Sequence, residues 1–162
     1  MSRARSLIMR GLFDFEQDGR YALRRIPMTV RFKLDACGVK LPLLGWALLR
    51  REQREQLLAL PCQTSEEQQA YRQQIVDMLS EHANRPEAAA EFVGTDKAPL
   101  WQDVSVVPAQ IVERLSELSV PSPTLDQWRS LDDMQRFALI KLTRSGHRNV
   151  NLLPALKEFG LA

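Results

Sequence analysis

Along most of this chain apolar residues recur at the three- and four-residue spacing of a helix buried on one side, and rarely at the two-residue spacing of a strand. Val30, Phe32/Lys33 and Leu34 form such a stripe after Pro27, and Ile111, Leu115 and Leu118 form another after Pro108. Both prolines suit the first turn of a helix, where a missing N–H leaves nothing unsatisfied, and Gly38 suits the left-handed residue that closes one. Leu43, Trp46 and Leu49, like Leu125, Trp128 and Leu131, then predict a short helical element. Leu57, Leu58 and Leu60, like Leu139, Ile140 and Leu142, predict the buried side of a closing helix. Ser65-Glu66-Glu67-Gln68 reads as a capping box opening a helix to about residue 83, with Tyr71, Ile75, Met78 and Leu79 inward. Thr124 with Gln127, and Ser130 with Asp133, read as further capping boxes. Strand signals are confined to VSVV at 104–107 and RYALRRI at 20–26. Residues 86–106 are the least periodic and read as an ordered linker that buries Phe92, Leu100 and Trp101. A final short helix spans LPALKEFG, with Leu156 and Phe159 facing inward.

These elements occur twice in the same order. Residues 26–61 and 107–142 align with identities at Pro27/Pro108, Leu34/Leu115, Val39/Val120, Leu43/Leu125, Trp46/Trp128, Leu49/Leu131, Gln53/Gln135, Arg54/Arg136, Leu57/Leu139 and Leu60/Leu142. An internal repeat governs architecture before other signals. The expected fold is all-α: two similar helical units, 26–61 and 107–142, packed into one domain with a connecting helix between them. Residues 12–162 form that single domain in this reading, and residues 1–11 a disordered N-terminal arm.

Composition changes this picture little. An apolar fraction of 44% and a charged fraction of 26% belong to an ordinary globular protein. The formal charge of +2 gives no argument for nucleic acid, although residues 1–33 are basic and 64–97 acidic. No apolar run approaches the ~18 residues of a membrane span. The opening MSRARSLIMRGLF lacks the form of a secretory signal, because Arg10 interrupts its short apolar stretch. Either Met1 or Met9 is the start of translation in this reading, and the expected compartment is the cytoplasm.

Few residues carry recognisable chemistry. There is no glycine-rich phosphate loop, paired-carboxylate motif or triad signature, so no catalytic residue, metal site or cofactor is expected. Trp46 and Trp128, at matching places among leucines, read as core. Arg54 and Arg136 begin the closing helix of each copy. Their guanidinium groups suit either backbone carbonyls and a carboxylate of the neighbouring unit, or an anion. Cys37 and Cys62 flank the first copy, while the second has Leu118 and Arg144 at those places. They read as buried free cysteines or as a redox pair; with His82 and His147 the only histidines, a metal site of three or four ligands has little to draw on. The most donor-rich surface is the loop from Thr143 to Asn151. There Arg144, His147, Arg148, Asn149 and Asn151 are candidates for binding a partner or an anion, and Gly146 a candidate helix cap.

Three segments together resemble a known family. FDFEQDGRYALRRIPMTVRFKLDACGVKLPLLGW at 13–46, LPC at 60–62 and QRFALIKLTRSGHRNVNLLPALKEFG at 135–160 are similar to the nitrate-reductase-associated proteins. IPMTVRFKLDACG and LPALKEFG are the specific parts. The resemblance implies a cytoplasmic accessory factor required for active, molybdenum-dependent assimilatory nitrate reductase, with that enzyme as partner and no catalysis of its own. It also implies a cysteine just before the Ile-Pro in many members, where this chain has Arg25. A three-cysteine ligand set with Cys37 and Cys62 is therefore not present. The alternative is an enzyme or cofactor-handling protein in molybdenum or iron–sulfur centre assembly, using Cys37 or the 144–151 loop. A nucleic-acid-binding regulator fits less well, because REQREQ at 51–56 balances its charges and Asp132 and Asp133 open the matching helix of the second copy.

Overall fold

The computed structural model of the protein describes residues 11–17, 23–144 and 150–162. Over these residues it is mostly helical, with one small antiparallel sheet. In chain order the elements are α1 (Met28–Cys37), β1 (Val39–Lys40), α2 (Leu43–Leu48), α3 (Arg51–Ala59), α4 (Ser65–Leu79), β2 (Glu91–Phe92), α5 (Ala109–Glu117), α6 (Leu125–Ser130), α7 (Asp133–Leu142) and α8 (Leu152–Glu158). Short 3₁₀ turns stand at Asp14–Glu16, Ser80–His82, Pro86–Ala88 and Leu100–Gln102. Among the described residues no helix is long and apolar enough to cross a membrane. The chain divides into two compact units, one ending at Asp96 and the other beginning at Lys97.

In the first unit α1, α2 and α3 fall within residues 26–61, and α4 packs against α1. Val30, Leu34 and Cys37 are the buried face of α1, and Tyr71, Ile75, Met78 and Leu79 that of α4. Pro27 offers no side-chain cap to α1, so the carboxylate of Glu16 reaches forward and accepts from the Met28 amide at 2.8 Å. Its other oxygen accepts from the Phe13 amide at 3.2 Å, which ties the preceding turn to the helix start. Gly38 ends α1 with φ +69°, as its position predicts. β1 pairs with β2 in the register Val39↔Phe92 and Lys40↔Glu91.

The second unit follows the same order with α5, α6 and α7, then α8. Ile111, Leu115, Trp128, Phe137, Leu139, Leu152 and Leu156 are buried. α6 starts with the capping box expected from Thr124 and Gln127: the Gln127 amide donates to Thr124 Oγ1 at 3.1 Å and Gln127 Oε1 accepts from the Thr124 amide at 2.8 Å.

Several local expectations differ. The capping box of α4 is Thr64 with Glu67 and that of α7 is Asp132 with Gln135. Ser130 instead donates its hydroxyl to the Asp126 carbonyl at 2.8 Å. Residues 104–107 form no strand: Trp128 Nε1 donates to the Asp103 carbonyl and Arg129 Nε to that of Val104, so side chains take the place of a strand partner. Of the other strand signal, 18–22 lie outside the described residues and 23–25 are turn and bend. Phe92 and Leu100 are exposed, at 62% and 51%, because a two-residue strand and a single 3₁₀ turn have no second face to cover them. Leu43, at the first position of a six-residue helix, is likewise exposed, whereas Trp46 and Leu49 are buried.

α2 approaches the 86–88 turn closely enough to require glycine. A Cβ on Gly45 would lie 2.5 Å from the Ala88 carbonyl oxygen and 2.9 Å from Leu41 Cδ1. We expect Gly45→Ala to lower unfolding free energy by about 1–3 kcal/mol, since backbone must move to admit the methyl. Gly94→Ala, with nothing within 4 Å of the added carbon, should stay within about 0.5 kcal/mol. Urea unfolding of the two variants checks the contrast.

Candidate functional site

The two repeated arginines are turned toward backbone. Arg54 donates from Nε to the Trp46 carbonyl at 3.1 Å, from Nη2 to that of Ala47 at 3.0 Å and from Nη1 to that of Leu23 at 3.3 Å. Trp46 Nε1 donates to the same Leu23 carbonyl at 3.0 Å, and the Arg54 guanidinium sits 5.6 Å from the Trp46 ring centre. In the second unit Arg136 donates from Nε to the Trp101 carbonyl at 2.8 Å, from Nη1 to that of Leu131, and from Nη2 to Asp133 Oδ1 at 2.5 Å. Each arginine joins the end of the six-residue helix before it to a segment preceding the first helix of its own unit. These carbonyls and the Asp133 carboxylate belong to the arginine's own unit, where the sequence had suggested the neighbouring one.

The loop after α7 is described only at its edges. Thr143 caps α7, its hydroxyl donating to the Leu139 carbonyl at 2.6 Å, and Arg144 beyond it is exposed. Asn151 precedes α8 and accepts the Ala155 amide at 2.9 Å through its carbonyl. Gly146, His147, Arg148 and Asn149 lie outside the described residues.

Cys37 and Cys62 are brought together. Cys37 is the last residue of α1, and Cys62 lies between α3 and α4, two residues before the cap Thr64. The two thiols are free and buried, and near enough for each to shift the other's ionisation. They also converge on one turn of α1: Cys37 Sγ reaches the Leu34 carbonyl at 3.6 Å and Cys62 Sγ that of Lys33 at 3.5 Å. The backbone at both positions is held separately. Arg72 donates to the Cys37 carbonyl at 3.1 Å and Gln68 Nε2 to that of Cys62 at 3.5 Å.

The charges around the pair are unequal. Lys33 Nζ donates to the carbonyls of Leu58 and Leu60 at 2.7 and 2.6 Å, filling acceptors at the end of α3. Burial lowers its pKa, and the negative charge available on Cys62 opposes that shift. The hydrogen bond from Cys37 holds the Cys62 thiol below its ordinary range, with Lys33 and Arg72 adding to the effect against burial and Glu67. The same hydrogen bond, burial and the Cys62 charge push Cys37 far up, against Arg72. Burial also raises the Tyr71 phenol, which donates to the Leu57 carbonyl at 2.7 Å and feels the charge of both cysteines. Cys62 is thus the thiol whose ionisation the surroundings favour and Cys37 the one whose ionisation they oppose. The sequence supplied both cysteines but not Lys33 or Arg72 beside them. Lys33 stood in a helical stripe and Arg72 among polar residues of α4, without a local motif to single them out.

The paired arginines and tryptophans thus hold the chain's own backbone, and the two cysteines lie apart from them. Residues 12–159 match the family described as conserved nitrate reductase-associated protein, and the chain belongs to that family. No curated protein matches, and no solved structure does.

The unequal thiols predict unequal alkylation. With iodoacetamide on the folded protein, Cys62 should react faster than Cys37 at neutral pH, with a pH midpoint below that of an ordinary cysteine. Cys37 should become reactive only at distinctly higher pH. Peptide mapping after timed quenching reads both. Equal rates, or faster labelling at Cys37, would contradict the assignment.

Proposed function

We propose that the protein is a non-catalytic accessory or maturation factor for molybdenum-dependent assimilatory nitrate reductase, working in the cytoplasm by binding the enzyme or its apo form. Membership of the nitrate reductase-associated family over residues 12–159 is the observation that carries this reading. In it the doubled helical segment is the scaffold. Arg54 and Arg136, engaged with carbonyls, serve that scaffold and not a ligand. The binding surface in this reading is the segment after α7. Arg144 and Val150 are exposed on either side of 145–149, and the sequence there supplies His147, Arg148 and Asn149 with almost no apolar cover. A segment whose sequence is dense in donors suits a reversible, polar interface.

One observation favours a second reading, in which the protein handles a molybdenum or iron–sulfur centre or its precursor: Cys37 and Cys62 set their sulfurs against the adjacent carbonyls of Leu34 and Lys33. Two thiolates fall short of the three or four protein ligands of a closed zinc or iron–sulfur site. Among the described residues no group of three His, Cys, Asp or Glu side chains is placed to hold a metal ion. Such a centre would need ligands from the enzyme itself.

Affinity capture from a cell extract containing nitrate reductase separates the readings. The tagged chain should retain the enzyme, and the triple change Arg144→Ala, His147→Ala and Arg148→Ala should reduce capture at least tenfold, with the circular dichroism spectrum preserved. Retention that is unchanged in the triple variant but lost in Cys37→Ser would move the contact to the cysteine pair. No retention by the wild-type chain would remove the binding reading.

A further inference from the structure

We infer that Cys37 and Cys62 are a reversible dithiol–disulfide couple, in which Cys62 is the attacking thiolate and Cys37 the resolving thiol, reacting with a low-molecular-weight disulfide. The geometry is of two sulfurs from separate elements, one ending α1 and one leading into α4, that lie 3.6 and 3.5 Å from the adjacent carbonyls of Leu34 and Lys33. Neither position depends on its sulfur to stay in place. Gly38 and Arg72 fix the backbone at Cys37, and Gln68 with the Thr64 capping box fixes it at Cys62. Nor does the fold of a helical unit need cysteine there: the second copy places Leu118 and Arg144 at the aligned positions and still forms α5, α6 and α7.

The surroundings separate the two roles. Cys62 lies just before the N-terminus of the 15-residue helix α4, where backbone N–H groups favour negative charge. Lys33, held by the carbonyls of Leu58 and Leu60, and Arg72, held by that of Cys37, supply positive charge from α1 and α4. Glu67 on the first turn of α4 is the opposing carboxylate, and Tyr71 is the remaining titratable group beside the pair. Cys62 is also the less buried residue, 6% exposed against 1% for Cys37. That small opening favours a slender co-reactant such as oxidised glutathione over a folded protein partner.

The reaction balances without a metal or cofactor. The Cys62 thiolate attacks one sulfur of the small disulfide, forming a mixed disulfide and expelling one thiolate. The Cys37 thiol gives its proton to an expelled thiolate or to water, and its sulfur attacks Cys62. This forms the Cys37–Cys62 bond and expels the second thiolate, which is protonated. Two electrons pass from the protein dithiol to the small disulfide, which leaves as two thiols. The bond formed joins the end of α1 to the entry of α4 across α2 and α3, so it removes conformations from the unfolded chain and raises thermal stability.

The purified full-length chain, equilibrated under native conditions with reduced and oxidised glutathione in a series of ratios, tests this by intact mass and peptide mapping. As the buffer becomes more oxidising, the wild type should lose two hydrogens, join the peptides of Cys37 and Cys62, and melt several degrees higher, all reversed by dithiothreitol. Cys37→Ser should instead accumulate one glutathione on Cys62, and Cys62→Ser should form neither adduct nor disulfide. Cys37→Ala repeats the first of these should serine disturb the buried position. Two thiols that stay free at every ratio until the protein unfolds would overturn the inference. So would a persistent glutathione adduct on the wild type, or an adduct on Cys37 in Cys62→Ser.

Discussion

Short helices leave many carbonyls open, and the structure depends on closing them. The last four carbonyls of any α-helix have no partner within it, so a six-residue helix such as α2 presents most of its acceptors outward. This chain fills them with cationic side chains from neighbouring helices. Arg54 takes the carbonyls of Trp46 and Ala47 at the end of α2, Arg136 that of Leu131 at the end of α6, and Lys33 those of Leu58 and Leu60 at the end of α3. The arrangement satisfies acceptors and also places positive charge at the negative end of each helix dipole. It explains why a core built from leucine, isoleucine and tryptophan admits Arg136 at 7% exposure. A buried guanidinium left without such partners would be strongly destabilising.

That constraint reaches the cysteines through Lys33. The lysine is placed by the carbonyls of α3, and its charge falls beside Cys62, where it favours the thiolate. Arg72 does the same while holding the Cys37 carbonyl. Two side chains that the fold requires thereby add to the influence of Cys37, the largest one, in lowering the pKa of Cys62. The chemistry of the pair follows from how the helices end.

Much of this was legible in the chain. The stripe of Tyr71, Ile75, Met78 and Leu79 marked the buried side of α4, Gly38 marked the end of α1, and Thr124 with Gln127 marked the start of α6. The caps of α4 and α7 were misplaced by one or two residues because Thr64 and Ser65, or Ser130 and Asp132, are adjacent acceptors of similar quality. Residues 104–107 carry β-branched side chains, yet Trp128 and Arg129 take the neighbouring carbonyls, which overrides that local preference. The strand pair 39–40 with 91–92 is too short to leave an alternating pattern. That Cys37 and Cys62 reach adjacent carbonyls depends on how α1 sits against the segment between α3 and α4, and no spacing in the sequence encodes that.

The link from helix ends to thiol chemistry is tested most directly by Lys33→Gln. Glutamine keeps a donor for the α3 carbonyls and removes the charge beside Cys62. With the fold retained by circular dichroism, the pH profile of Cys62 alkylation should move to higher pH than in the wild type. An unchanged profile would show that Lys33 does not set the Cys62 thiolate, and the account of the pair would fail at its first step.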